Sequence, residues 1–419
     1  MNKREFLTLC GAAGAATAGA ALTTTSRAQE GADDGLSSLT DAAVPIDRAE
    51  RERRLERASQ LMGDNDIDAI VVEAGSALTY FTGIRWGRSE RFTGAVITRD
   101  GAVAIVTPYF EEPSLRESLG IEAEVRTWHE HENPFDRVAE FVRDEGIRSG
   151  TIGVEETVRF FIADGIRNAL PSFSVAPGNA VTRGCRMYKS AAEIALMQTA
   201  SNVTIAAYEW LYSRVELGME SADISALMSD ATRQLGGRPI FSSVLLNEAS
   251  AYPHGTRQPQ SVREGGVILM DCGADVHDYN SDISRTWVFG EPSKKQRDVW
   301  ATAKQGQELA LETAQIGVPA GRVDEVVRKF YESKGYGPGY QTPGLSHRLG
   351  HGIGMDGHEP INFVQGESTP LAPGMCFSDE PGIYIFGEFG VRLEDCLYMT
   401  EDGPRLFTEF SQSIDKPFG

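Results

Sequence analysis

The sequence predicts a smaller α/β domain followed by a larger α+β domain. Three observations carry this. The chain has 419 residues, too many for one ordinary hydrophobic core. Short buried-strand patterns alternate with helical periodicity from about Pro45 to Arg186. From residue 187 to 419, two helix pairs are each tied to strand-like runs that carry carboxylates, a pseudo-duplicated order. Hydrophobic content of 41% and charged content of 24% are those of a globular chain.

The first 28 residues read as an export signal. Lys3-Arg4 precede Phe6-Leu7, a small-residue apolar run follows, and Ser26-Arg27-Ala28 puts small residues at −3 and −1 of a cut after Ala28. The layout resembles a twin-arginine signal with Lys in place of the first Arg, which implies a periplasmic or secreted protein with no stable membrane association after cleavage. Residues 29–44 are acidic, small and polar, and are expected to be a linker.

In the domain expected over 45–186, Asp47 caps a charged amphipathic helix over 47–62. Strands are expected over 69–72, 94–98, 102–107 and 151–154, with an Arg99-Asp100-Gly101 turn and a helix over 135–145. In the second domain, Ser190 and Glu193 form a capping box that opens a helix reaching Tyr212. Further helices are expected over 220–235, 294–316 and 323–334, and strands over 241–246, 267–272, 283–289, 375–378 and 390–398.

The net charge is −20; Lys3, Arg4 and Arg27 against Glu5 make the leader +2, so the remainder carries −22. That balance opposes binding to nucleic acid or anionic lipid. Cys185, Cys272, Cys376 and Cys396 form no CxxC pair and are expected to be buried free thiols.

Chemistry concentrates in Ser346 to Pro360, SHRLGHGIGMDGHEP, where His347, His351 and His358 are interleaved with four glycines. Such glycines suit a loop with positive φ and close backbone approach, and histidine is both a metal ligand and an acid/base. Asp271 ends an apolar strand, and Asp282 follows eleven residues on, after a turn expected over 274–279. Glu380 and Glu394 flank a second hairpin turning near 387–390. Four carboxylates converging need positive charge between them. With His351 they form an oxygen-rich set suited to Mn²⁺ or Co²⁺, filled naturally by two ions about 3.5–4 Å apart. Arg285 and Asp395 read as structural ion pairs.

These residues carry a resemblance. HGIG with His358 seven residues later in HEP, EPGIY, GVRLED, DCG with SD eleven residues on, Pro253-His254-Gly255 and Tyr80-Phe81-Thr82-Gly83 resemble the pita-bread metallopeptidases, including Xaa-Pro dipeptidase (prolidase) and aminopeptidase P. The resemblance covers nearly everything after the linker. It implies a pita-bread catalytic domain behind a creatinase-type N-terminal domain, acting on small peptides as a homodimer. It further implies two divalent ions, Mn²⁺ expected and Co²⁺ or Zn²⁺ the alternatives, held by Asp271, Asp282, His351, Glu380 and Glu394. Asp282 and Glu394 would bridge, and the bridging water would supply hydroxide to the carbonyl before proline. Glu380 would accept a proton, and His254 and His358 would stabilise charge or pass the proton on. Arg392 would pair with a substrate carboxylate and His347 would support substrate binding. The same fold also hosts hydrolases and lyases of small non-peptide compounds (ectoine, dimethylsulfoniopropionate) and non-catalytic binding proteins.

Overall fold

The computed structural model describes residues 35–418; the expected export signal lies outside them. The N-terminal lobe comprises α1 (Arg48–Asp64), β1 (Ala69–Glu73), α2 (Ser76–Thr82), β2 (Gly94–Thr98), β3 (Val103–Pro108), α3 (Glu112–Arg116), β4 (Glu124–Trp128), α4 (Pro134–Asp144), β5 (Gly150–Val154), α5 (Phe160–Ala169), β6 (Phe173–Pro177) and α6 (Asn179–Arg186). Its sheet has the order β4-β3-β2-β1-β5-β6. Only β2 runs antiparallel to its neighbours. β1 is apolar and fully buried because helices cover both faces: Ile70 and Val72 pack towards α1, α2 and α6, and Val71 towards α4 and α5.

The second lobe begins with α7 (Ala191–Tyr212), opened by the expected Ser190–Glu193 capping box, and α8 (Ser221–Gln234). There follow β7 (Arg238–Leu246), β8 (Gly266–Val276), β9 (Tyr279–Asn280), β10 (Ile283–Phe289), α9 (Lys294–Thr313) and α10 (Ala320–Ser333). The chain ends with β11 (Gly350–Gly352), β12 (Glu359–Phe363), β13 (Cys376–Asp379), β14 (Gly382–Ile385), β15 (Phe389–Arg392), β16 (Asp395–Thr400) and β17 (Gly403–Leu406). β10-β8-β7 form one sheet and β12-β11-β13-β16-β17 another, with β14–β15 a separate hairpin. Each sheet is backed by its own helix pair, the repeat expected from the order of elements.

Four expectations need correction. Asp271 lies in the middle of β8 rather than at its end. Apolar burial continues through Cys272, Ala274 and Val276, and only His277 and Asp278, with φ of 49° and 75°, make the turn. The strand expected over 390–398 breaks at Leu393-Glu394. There the Glu394 amide donates to the Ser284 carbonyl at 3.1 Å and draws the chain across to β10.

Of the glycines of 346–360, Gly350 and Gly352 serve close approach in a strand, and the expected positive φ is absent from all four, Gly350, Gly352, Gly354 and Gly357. A Cβ at Gly350 would lie 2.1 Å from the Ser378 carbonyl oxygen. Part of the expected linker is docked. The Leu39 amide donates to the Leu235 carbonyl at 2.9 Å, and the Thr40 hydroxyl to the Gly236 carbonyl at 3.3 Å. The four cysteines beyond the leader are free and buried, as expected. Among the described residues no helix is long and apolar enough to cross a membrane.

Charges buried between the lobes hold the segment leading into β12. Glu359 accepts from Arg186 at 2.6 Å, Lys189 at 2.9 Å and the Met355 amide at 3.0 Å. Asp356 in turn accepts from Ser76 and Arg186. Burial alone would raise the Glu359 carboxyl, but Arg186 and Lys189 outweigh it and hold the group at about 2. A carboxylate depressed on folding contributes stability above its unfolded pKa and loses it as pH falls towards the folded value. The contribution here is about 3 kcal/mol. Wild-type stability in urea should therefore decline steeply from pH 4.5 to pH 3. Glu359→Gln should be less stable at pH 7, because it leaves the buried Lys189 without its paired charge and Arg186 with Asp356 alone, and should show a shallower acid decline. An equal decline in both would contradict this account.

Candidate active site

The two carboxylate hairpins meet at one backbone junction. Ser284 of β10 lies opposite Asp271 of β8, and the same Ser284 forms an isolated bridge with Glu394. Asp282 comes just before β10, and Glu380 just after β13. His351 enters on β11, its amide donating to the Ser378 hydroxyl at 3.0 Å, while the Glu380 amide donates to the Leu349 carbonyl at 2.9 Å. Helix α10 fixes the approach to β11. Arg328 donates to the Leu345 carbonyl at 2.8 Å, and Asp324 accepts from the Leu349 amide at 3.2 Å.

The five expected ligands converge. Ligand atoms of Asp271, Asp282 and Glu394 lie within 4.8 Å of one another, as do those of His351, Glu380 and Glu394, and those of Asp282, His351 and His358. Asp282, Glu394 and His351 are buried, with 5%, 1% and 2% exposure. His351 Nδ1 lies 3.0 Å from the Gly352 carbonyl, which can only accept, so Nδ1 carries the proton. Nε2 then presents a lone pair to Glu380 at 3.4 Å and Asp282 at 3.6 Å.

Donors from the protein reach only part of this oxygen-rich set, and the rest of its lone pairs face one another. The Asp271 and Asp282 Oδ1 atoms, both buried, have no hydrogen-bond partner. Burial, then repulsion from Glu394, Asp271 and Glu380, raises the Asp282 carboxyl well above its usual range. Burial, then Glu380 and Asp271, does the same to Glu394. Glu380 is pushed up to about 8 by burial, with Arg392 opposing the rise. Burial and then His358 lower His351 to about 3, so its imidazole is neutral. The residues present thus fit divalent cations, whose charge would let Asp282, Glu380 and Glu394 ionise together.

The remaining expected residues surround this cage. His358 is exposed and meets His351 edge-on at 4.1 Å between ring centroids. His254 is also exposed. Arg392 is placed differently from expectation. Its Nη2 donates to Asp271 at 2.6 Å, Nε to the Ser284 hydroxyl at 2.8 Å, and Nη1 to the Tyr384 hydroxyl at 3.3 Å and the Pro253 carbonyl at 3.2 Å. That leaves one N–H of the guanidinium's five, too few for a bidentate grip on a substrate carboxylate.

Both ring nitrogens of His347 are likewise engaged by the protein, Nδ1 with the Arg348 carbonyl and Nε2 with the Tyr384 hydroxyl, each at 2.7 Å. Burial, then Arg392, lowers His347 to about 3. Arg285 and Asp395 pair with each other at 2.7 Å, structurally, as expected. Ser284 went unnoticed in the sequence, yet its hydroxyl donates to Glu394 at 2.7 Å. Its place opposite Asp271 in the register is the signal that could have found it.

Comparison with known proteins gives the same picture. The profile of metallopeptidase family M24 matches residues 195–401, and that of the creatinase/prolidase N-terminal domain matches residues 54–188. An uncharacterized peptidase of Schizosaccharomyces pombe is 30% identical over 394 residues, which is 89% of this chain and 84% of that protein. The Xaa-Pro dipeptidase of Lactobacillus helveticus is 29% identical over 366 residues, 86% of this chain and 98% of its own. The solved structure of dipeptidase PepE from Mycobacterium ulcerans matches with a TM-score of 0.80 and 29% identity, covering 87% of this chain and 97% of that one. The expected architecture, a pita-bread catalytic domain behind a creatinase-type domain, is the one observed, and the chain belongs to metallopeptidase family M24.

Proposed function

We propose that this metallopeptidase hydrolyses the Xaa-Pro bond of dipeptides or short peptides at a dinuclear centre. The observation that carries the reading is the overlap of ligand groups: Asp282, Glu394 and His351 each belong to two of the three clusters, and of these only the two carboxylates have a second ligand atom to share, since His351 Nδ1 is taken by the Gly352 carbonyl. Asp271 would complete one position, and His351 with Glu380 the other. Four carboxylates and one imidazole favour Mn²⁺, with Co²⁺ or Zn²⁺ as alternatives. Bound there, the two cations supply a water ionised to hydroxide near neutral pH and polarise the scissile carbonyl.

The chain's own residues do the rest. Glu380 Oε1 accepts from the Ser378 hydroxyl at 3.4 Å, which orients the carboxylate to take a proton and return it to the departing proline nitrogen. His358 and His254 line the exposed side of the cage and would stabilise charge developing on the carbonyl oxygen. Arg392 and Ser284 hold Asp271 and Glu394 in place, so their contribution is positional. The similar Lactobacillus helveticus protein is named a Xaa-Pro dipeptidase, which favours a peptide over a non-peptide substrate. The leader would place this activity in the periplasm or outside the cell, and the homodimer remains part of the proposal.

Supplied with Mn²⁺, the protein should cleave Xaa-Pro dipeptides or short Xaa-Pro peptides and lose that activity on chelation; turnover of sulfonium or cyclic amidine compounds instead would overturn the substrate reading. Asp282→Ala should lower kcat by about 10³-fold, the ~4 kcal/mol expected of lost transition-state charge stabilisation. Ser284→Ala should weaken Mn²⁺ affinity about 10–100-fold by calorimetry, and unchanged affinity would remove its positioning role.

A pH dependence also follows. Asp282, Glu380 and Glu394 have raised carboxyls, Glu380 at about 8. The metal-free folded state therefore binds more protons than the unfolded chain between about pH 4.5 and 8, and stability falls as pH rises through that window. The Tm of metal-free protein should drop from pH 5 to pH 8, and Mn²⁺ should raise Tm more at pH 8. A flat metal-free profile would contradict this.

A further inference from the structure

Two exposed aromatic side chains meet at the edge of the site. Tyr252 and Phe386 are 43% and 54% exposed, and their rings stack at 5.2 Å and 27°. Single exposed aromatics need no explanation; a stacked pair contributed by two separate loops does. Both loops are tied to the guanidinium that holds Asp271. Tyr252 precedes Pro253, whose carbonyl accepts from Arg392 Nη1 at 3.2 Å. Phe386 follows β14 and lies two residues beyond Tyr384, whose hydroxyl meets the same Nη1 at 3.3 Å.

Phe386 opens the turn directly after β14, two residues beyond the Tyr384 that reaches Arg392 and His347. The joint is stiff. The Gly390 amide donates to the Ser250 hydroxyl at 2.8 Å, and a Cβ at Gly390 would lie 2.1 Å from the Ser250 carbonyl oxygen. Nothing in this packing requires the ring faces to be open to water.

We propose that Tyr252 and Phe386 form a subsite for an apolar or aromatic side chain of the peptide substrate, which would lie against the exposed surface of the stacked pair and choose among substrates. This rests on the peptide-cleaving reading above. Uncharged ring surfaces reward an apolar partner and offer a carboxylate no paired charge. Two substrate positions could supply the group: the Xaa residue, or a residue following proline. Continuity with Arg392 and Pro253 places the subsite beside the cage and outside it.

The test compares Phe-Pro with Ala-Pro, and Ala-Pro-Phe with Ala-Pro-Ala, on the Mn²⁺-loaded protein. In one series wild type should prefer the phenylalanyl substrate by roughly tenfold in kcat/KM, the scale of a few apolar contacts. Tyr252→Ser and Phe386→Ser should each cut that preference to about twofold or less, and Tyr252→Phe should retain it. The series that responds identifies the substrate position. A phenylalanyl preference that survives both serine variants would overturn the subsite. If no Xaa-Pro substrate is cleaved, the peptidase reading fails separately. The subsite is then judged by saturation-transfer NMR of Phe-Pro: ring signals present with wild type and lost in the double variant support it, and signals retained by the double variant refute it.

Discussion

The backbone pairing of Ser284 with Glu394 is the contact on which the site depends. Ser284 belongs to the β7-β8-β10 sheet, where it lies opposite Asp271. Glu394 belongs to the junction between β15 and β16. Two mutual amide–carbonyl bonds, at 3.1 and 3.3 Å, join the two at the site itself, and the Thr286–Arg392 bonds continue the seam. The hydroxyl of Ser284 then donates to the Glu394 carboxylate and accepts from Arg392 Nε, which ties backbone register to side-chain placement. Without that joint each hairpin would present two carboxylates to a different place.

Convergence has an electrostatic cost that the protein meets only in part. Arg392 is the single guanidinium in direct contact with a ligand carboxylate among the described residues, and it cannot neutralise four. Asp282 and Glu394 are buried too deeply for water to screen them. The rigid frame therefore stores like-charge repulsion that divalent cations would relieve. This explains why unpartnered oxygens on Asp271 and Asp282 occur in so buried a place. It also explains why the arginine and the nearby histidine are fastened by protein groups rather than free to search for substrate.

Much of this was legible in the sequence because the chemistry lies in local, closely spaced motifs. The capping box at Ser190, the hairpins around Asp271–Asp282 and Glu380–Glu394, and His351 among glycines each leave a signature within fifteen residues. What escaped was long-range. That Glu394 interrupts a strand depends on Ser284, 110 residues away. That Gly350 is needed for strand contact depends on Ser378. The docking of Leu39 depends on Leu235, and a polar composition cannot report a partner so distant. β4 and β6, absent from the sequence reading, are half-exposed edge strands and lack the apolar run that marks β1. The hydrogen bonds of Arg392 were illegible for a related reason: sequence places an arginine near a site but does not count the donors it has left.

The central claim is that the four carboxylates and His351 enclose two divalent cations shared by Asp282 and Glu394. Anomalous diffraction from crystals of the Mn²⁺-loaded protein measures this directly. The account predicts two peaks, each within bonding distance of both Asp282 and Glu394, with Asp271 on one and His351 and Glu380 on the other. A single peak, or peaks that leave Asp282 or Glu394 out of either coordination sphere, would contradict it.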